Sequence, residues 1–172
     1  MTSSSPKTST QFEIRVQAQA FQPGTELDRW CAQCQGAGAV VSFVGLVRDM
    51  NLGENVQSMH LEHYPGMTEK TLRTLCEEAA QRWKISDVCV IHRYGDLFPA
   101  DPIVMVMTAS AHRSDAFSAC EFVMDYLKTQ APFWKRENTD SGPRWVEARE
   151  SDEKAALSWG ALDGSVDGSA GS

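Results

Sequence analysis

The chain has 172 residues, of which 42% are hydrophobic, and its formal charge is −7 at pH 7. This length suits one domain with a sizeable core, and the acidic balance excludes a generally basic surface for nucleic acids. The sequence contains no apolar run of about 18 residues, the length that predicts a membrane span. The N-terminus also lacks the apolar stretch of a secretory signal, which indicates a cytoplasmic protein.

The first quarter of the chain predicts two strands and a helix. Residues 1–10 are rich in Ser and Thr and are predicted to be a disordered leader. Apolar and polar residues then alternate over residues 11–17, which predicts a half-buried strand. A helix capped by Thr25 is predicted to run to about Gln33, before a β-rich apolar run at residues 39–47.

The middle of the chain continues the mixture of strands and helices. A polar loop is predicted at residues 49–55, and a strand at residues 56–64. Apolar residues at three- and four-residue steps over residues 72–83 predict an amphipathic helix. Compact apolar runs at residues 88–92 and 103–108 are typical of interior strands.

The last third begins with a helix capped by Ser114. That helix should end at Ala131, because the residue before a proline disfavours helical geometry. Residues 133–137 and 144–147 are predicted to form two short strands around a turn.

A final helix, capped by Ser151, is predicted to reach Trp159. The Gly/Ser-rich residues 160–172 are predicted to be a disordered tail, which leaves residues 11–159 as the folded domain. The order β-α-β-β-α-β-β-α-β-β before the last helix indicates an α+β fold. No glycine-rich phosphate-binding motif occurs, so the sequence predicts no nucleotide cofactor.

Two pairs of residues have the spacing of zinc ligands, Cys31 with Cys34 and His60 with His63. Positions three apart on a strand face opposite sides, so the two histidines should not converge. Packing on an amphipathic helix accounts for at least one of the cysteines. A metal site is therefore disfavoured, and Cys120 on an apolar helix stripe is expected to be an inert core thiol.

The basic residues of the second half suggest an anion site. His112 and Arg113 stand at a helix start, where free N–H groups and the helix dipole favour anions. Lys128 lies in the last turn of that helix, and the chain reversal after it could bring Lys135 close. Two adjacent ammonium groups lower each other's pKa, which suits proton transfer. On residue types alone, solvated surface side chains are the more common explanation of all four.

Seven motifs then follow one another in a single order that resembles the large, catalytic subunit of molybdopterin synthase over roughly Phe12 to Trp159. They are residues 43–48 (FVGLVR), 61–70 (LEHYPGMTEK), 92–97 (HRYGDL), 110–113 (SAHR), 124–128 (MDYLK), 131–137 (APFWKRE) and 145–149 (WVEAR).

The resemblance implies an α/β hammerhead fold with an additional antiparallel β subdomain. It also implies a sulfurtransferase of molybdenum cofactor biosynthesis that needs no metal or organic cofactor. Sulfur would pass from the C-terminal Gly-Gly thiocarboxylate of a small ubiquitin-like carrier subunit to cyclic pyranopterin monophosphate, forming the dithiolene of molybdopterin. The expected assembly is a heterotetramer around a homodimer of catalytic subunits.

The resemblance also implies roles for individual residues. Lys128 matches the main catalytic lysine of the family and Lys135 the second. The substrate-binding positions implied around them are Leu46, Val47, Arg48, His112, Arg113, Lys128, Lys135, Arg136, Glu137 and Arg149. Leu46 departs from the family pattern, in which a lysine precedes Val-Arg, and a pocket of this family can draw residues from the neighbouring catalytic subunit.

Two alternatives remain from the sequence. One is a non-catalytic protein with the same fold and carrier interface, against which the presence of both Lys128 and Lys135 speaks. The other is a zinc protein that uses Cys31 and Cys34.

Overall fold

The computed structural model describes residues 9–146 and 150–161 as an α+β fold with two sheets, which confirms the predicted class. The strands are β1 (Gln11–Gln17), β2 (Ala39–Leu46), β3 (Met50–Asn51), β4 (Glu54–His63), β5 (Ile85–Arg93), β6 (Gly95–Leu97), β7 (Pro102–Ser110), β8 (Phe133–Thr139) and β9 (Gly142–Val146). The helices are α1 (Pro23–Cys31), α2 (Met67–Arg82), α3 (Arg113–Gln130) and α4 (Glu150–Ala161). Within these residues, no helix is both long and apolar enough to cross a membrane.

The main sheet has the strand order β1-β5-β7-β2 and is covered on both faces. β1 runs parallel to β5, and the other neighbours are antiparallel. Val88 and Val90 pack with the side chains of α2 and α3, whereas Cys89 and Ile91 pack with Trp30 of α1. Burial on both faces explains why β5 and β7 are continuous apolar runs rather than alternating ones.

The second sheet is antiparallel and has the order β3-β4-β8-β9, with β6 paired to β4. Its inner face packs around a small core that includes Val47, Val56, Leu61 and Leu97. This sheet corresponds to the additional β subdomain that the resemblance implies, and it places β8 beside the C-terminal end of α3.

The predicted loop at residues 49–55 is wrong, because β3 and β4 form a tight hairpin across Leu52 and Gly53. Both turn residues have positive φ, 54° and 81°, the geometry that two-residue hairpins require. The short strand β6 was also missed. Two- and three-residue strands carry too few residues to show a period.

Three predicted helix caps are also wrong. The N-cap of α1 is Gln22 rather than Thr25, because Pro23 already has the φ of a first helical residue. The N-cap of α3 is His112 rather than Ser114. α4 already begins at Glu150, one residue before the predicted cap Ser151, and it extends two residues beyond the predicted end.

Candidate active site

A cleft of about 500 Å³ opens between the end of β2, the C-terminal end of α3 and the strand β8. Its lining combines apolar side chains with three cations and two acids. These charged residues are Arg48, Lys128, Lys135, Glu137 and Asp152.

Lys128 and Lys135 both line this cleft, although seven residues separate them in the chain. Lys128 lies in the last turn of α3, and Lys135 is the third residue of β8. The chain reverses between them at Ala131, whose backbone is extended because Pro132 follows. The two lysines therefore lie in the same cleft, as the chain reversal predicted.

Burial lowers the pKa of Lys135 below that of an ordinary lysine, and the positive charge of Lys128 lowers it further. The carboxylates of Asp152 and Glu137 act in the opposite direction. A lysine with a lowered pKa exchanges its proton more readily near neutral pH, which suits a general acid or base.

Alternation along β8 separates the residues of this segment as expected. Phe133, Lys135 and Glu137 line the cleft. Arg136 is exposed on the opposite face of the sheet, where its guanidinium lies 5.9 Å from the centroid of the Trp145 ring. In this chain Arg136 therefore points away from the cleft.

Glu137 is the anchor of a buried polar network at the floor of the cleft. Its side chain is almost fully buried, and the Asn51 amide donates to both carboxylate oxygens at 2.9 and 3.0 Å. The guanidinium of Arg144 donates to Oε2 of Glu137 at 3.1 Å and to Glu54 at 3.2 Å. The network ties the β3-β4 hairpin to β8 and β9, so Glu137 has a clear structural role.

The buried ring of His92 supports Phe133, a residue of the cleft lining. The ring of His92 stacks on Phe133 with 3.7 Å between centroids, and its Nδ1 lies 2.8 Å from the carbonyl oxygen of Arg93. Burial lowers the pKa of His92 to about 3, so its ring is neutral at physiological pH. A neutral ring adds no further positive charge beside Lys135.

The residues at the end of β2 contribute unequally. Arg48 and Leu46 are exposed and line the cleft, and Leu46 offers it an apolar side chain. Val47 points the other way and is buried in the core of the second sheet.

His112 and Arg113 lie at the opposite end of α3 from Lys128. Both are exposed at the helix start. Fifteen residues separate Arg113 from Lys128, and a helix rises about 1.5 Å per residue, so roughly 22 Å lies between them. A single chain does not bring these two groups together. Arg149 lies outside the described residues.

Asp152 and Asn51 are site residues that the sequence did not reveal. Asp152 lies on α4 and its carboxylate is 3.4 Å from the ammonium of Lys128. Neither residue belongs to a spaced motif, and each reaches the cleft through tertiary packing alone.

The candidate zinc ligands do not converge. His60 lies 2.6 Å from the carboxylate of Asp96, whereas His63 packs on the ring of Tyr94. Cys31 is exposed and Cys34 is buried. Across the described ranges, no three His, Cys, Asp or Glu side chains cluster in a way that could hold a metal ion.

Three of the buried thiols are poor nucleophiles. Burial raises the pKa of Cys76 and Cys89 to about 12 and that of Cys120 to about 11. These groups stay protonated at physiological pH and lack the thiolate that reacts. No cysteine is among the described residues that line the cleft, and its two lysines and one arginine favour an anionic ligand.

The chain resembles proteins of one family over most of its length. A family model described as "MoaE protein" matches residues 16–130. A relative from Pseudomonas aeruginosa, named molybdopterin synthase catalytic subunit, is 60% identical over 146 residues, which cover 85% of this chain and 97% of the relative.

Solved structures agree with the sequence comparison. The molybdopterin biosynthesis MoaE protein from Burkholderia ambifaria has a TM-score of 0.73 and 52% identity, covering 86% of this chain and 97% of that one. A protein–protein complex of subunits 1 and 2 of molybdopterin-converting factor from Helicobacter pylori contains a chain with a TM-score of 0.64. That chain is 19% identical, and the match covers 80% of this chain and 91% of that one, so it shows the shared fold.

Proposed function

Because this chain belongs to the MoaE protein family, the catalytic subunits of molybdopterin synthase, we propose that its cleft carries out the sulfur transfer of that synthase. The donor is the C-terminal thiocarboxylate of a small ubiquitin-like carrier subunit. The acceptor is cyclic pyranopterin monophosphate, and two transfers form the dithiolene of molybdopterin. The pairing of Lys128 with Lys135 in one cleft is the observation that carries this proposal.

The charges of the cleft suit both reactants. The carrier tail ends in an anionic thiocarboxylate, and the pterin carries a cyclic phosphate. Lys128, Lys135 and Arg48 all line the cleft and can pair with these anions. Its apolar residues, among them Phe43 and Leu46, offer a surface for the planar pterin.

Both lysines act on the thiocarboxylate and on the protons of the reaction. Lys128 and Lys135 orient the thiocarboxylate, whose sulfur attacks the substrate side chain. Each transfer forms a carbon–sulfur bond on the pterin side chain in place of a carbon–oxygen bond, whose oxygen leaves as water or stays on the phosphate as the cyclic ester opens. The carbon–sulfur bond of the carrier breaks at the same time, and water supplies the oxygen that leaves the carrier with a carboxylate. Lys128 moves protons or stabilises the negative charge that develops. Lys135, with its lowered pKa, is the partner that exchanges protons more readily.

The assembly follows from the same proposal. A homodimer of this chain forms the core of a heterotetramer, with one carrier subunit on each protomer and its tail in the cleft. The Helicobacter pylori protein of the same fold is itself a complex of subunits 1 and 2 of molybdopterin-converting factor, which supports a partner of this kind. We place this enzyme in the cytoplasm, where a small-molecule precursor and a carrier protein can meet.

His112 and Arg113 complete the site from the neighbouring catalytic subunit. Both are exposed and lie far from Lys128 of their own chain. Exposed cations at a helix start are available to bind the phosphate of a substrate held by another protomer.

Mixing two inactive variants tests this arrangement. Lys128→Ala and Arg113→Ala homodimers should each be nearly inactive. After subunit exchange, each mixed dimer should contain one site with Lys128 from one protomer and Arg113 from the other, restoring about a quarter of the wild-type sites. Sulfur transfer is measured before and after exchange. No recovery, despite mixed dimers shown by mass spectrometry, would place both residues in one chain's site.

A further inference from the structure

Asp152 lies on α4, a helix held firmly against α3. The indole Nε1 of Trp159 donates to Asp125 of α3 at 2.8 Å, and its ring packs edge-on against Phe122. Arg82 of α2 also donates to the backbone carbonyl of Trp159 at 3.2 Å. These contacts set the position of α4 and thereby the position of Asp152 at the cleft.

The carboxylate of Asp152 lies 3.4 Å from the ammonium of Lys128, and both groups line the cleft. The two side chains are 23% and 42% exposed. A lysine has four flexible carbon–carbon bonds, so a half-exposed lysine without a fixed partner would sample many positions. The positive charge of Lys135 would also repel it from the cleft.

Four other charged groups of the described lining share the cleft with Lys128. Lys135 and Glu137 belong to β8, Arg48 follows β2, and Asp152 belongs to α4. Both oxygens of Glu137 accept hydrogen bonds from Asn51, and one of them also binds Arg144. Asp152 is therefore the acid of the described lining that is placed to act on Lys128.

We propose that Asp152 is a positioning residue, whose carboxylate holds the Lys128 ammonium at the cleft and offsets its repulsion from Lys135. This inference rests on the proposed function only for its effect on turnover. The contact itself is a property of the folded chain. Since Asp152 touches neither the carrier tail nor the pterin in this role, it acts through Lys128.

Asp152→Asn removes the charge and keeps the shape of the side chain. A half-exposed ion pair contributes at most about 1 kcal/mol, so we expect kcat to fall about two- to fivefold. The KM for the thiocarboxylated carrier should not rise, because the change removes a negative charge from a cleft that binds anions. Asp152→Glu should recover most of the lost kcat.

Glu153→Gln is the matched control, since Glu153 is the next residue of α4 and is exposed. It makes the same change of charge away from the cleft and should leave kcat unchanged. A loss of kcat that Glu153→Gln shares would overturn the inference.

A lysine titration tests the contact without any assay of activity. In protein labelled at lysine 13Cε, the signals of Lys128 and Lys135 are assigned with their alanine variants and followed by NMR against pH. The carboxylate of Asp152 favours the ammonium form of Lys135, so the Lys135 signal should titrate at lower pH in Asp152→Asn and not in Glu153→Gln. Identical titrations in all proteins would overturn the inference. Shifted titrations without sulfur transfer by the wild type would contradict the proposed function and leave the role of Asp152 intact.

Discussion

Lys128→Ala is expected to lower kcat for sulfur transfer by at least about two orders of magnitude, the usual effect of removing a positioned acid or base. The lysine lies at the mouth of the cleft beside Lys135, and no other side chain of α3 that lines the cleft carries a charge. Binding of the carrier should change little, because in the proposed assembly its globular body would contact a much larger surface than one ammonium group. Steady-state kinetics and carrier titration by calorimetry measure the two quantities separately.

Lys70→Ala provides the control for this variant. Lys70 is an exposed lysine of α2, outside the lining of the cleft, and its loss should leave kcat within about twofold of the wild type. Wild-type turnover by Lys128→Ala would remove this lysine from the mechanism. A large loss of carrier affinity instead would make it a binding residue.

Glu137→Ala should lower the free energy of unfolding by about 3 kcal/mol, the cost of breaking a buried charge pair from one side. The change removes the acceptor of the Asn51 amide and one of the two carboxylates that bind Arg144. Both donors would remain partly buried with fewer acceptors, and the β3-β4 hairpin would lose its tie to β8. Urea denaturation followed by tryptophan fluorescence measures the change.

Glu121→Ala is the control for the effect of Glu137→Ala on the free energy of unfolding. Glu121 is an exposed acid of α3, and its removal should change the free energy of unfolding by less than about 0.5 kcal/mol. If Glu137→Ala were equally mild, the network at the floor of the cleft would not be a structural anchor.

Much of the fold could be predicted because its central elements carry strong local signals. β5 and β7 are apolar on both faces, and α2 and α3 have continuous apolar stripes. Such patterns reflect burial directly. The short strands β3 and β6 were missed, because tertiary pairing determines them more than local composition does. The start of α1 was misplaced although Pro23 is a local signal for a first helical residue.

The candidate site was likewise predictable only where local sequence signals determine it. The approach of Lys128 and Lys135 follows from a helix that must end before Pro132, a signal in adjacent residues. The position of Asp152 depends instead on how α4 packs against α3, which no spacing in the sequence encodes. The separation of Arg113 from Lys128 is a consequence of helix length, so it was predictable once α3 was assigned.

Single-turnover conversion of cyclic pyranopterin monophosphate is the most direct test of the proposed sulfur transfer. This protein is mixed with the carrier in its thiocarboxylated form and, in parallel, with the same carrier ending in an ordinary carboxylate. We expect the dithiolene product from the thiocarboxylated carrier alone, with two thiocarboxylates consumed for each dithiolene formed. No product from a thiocarboxylated carrier that is shown to bind would contradict the account and indicate a non-catalytic carrier-binding protein.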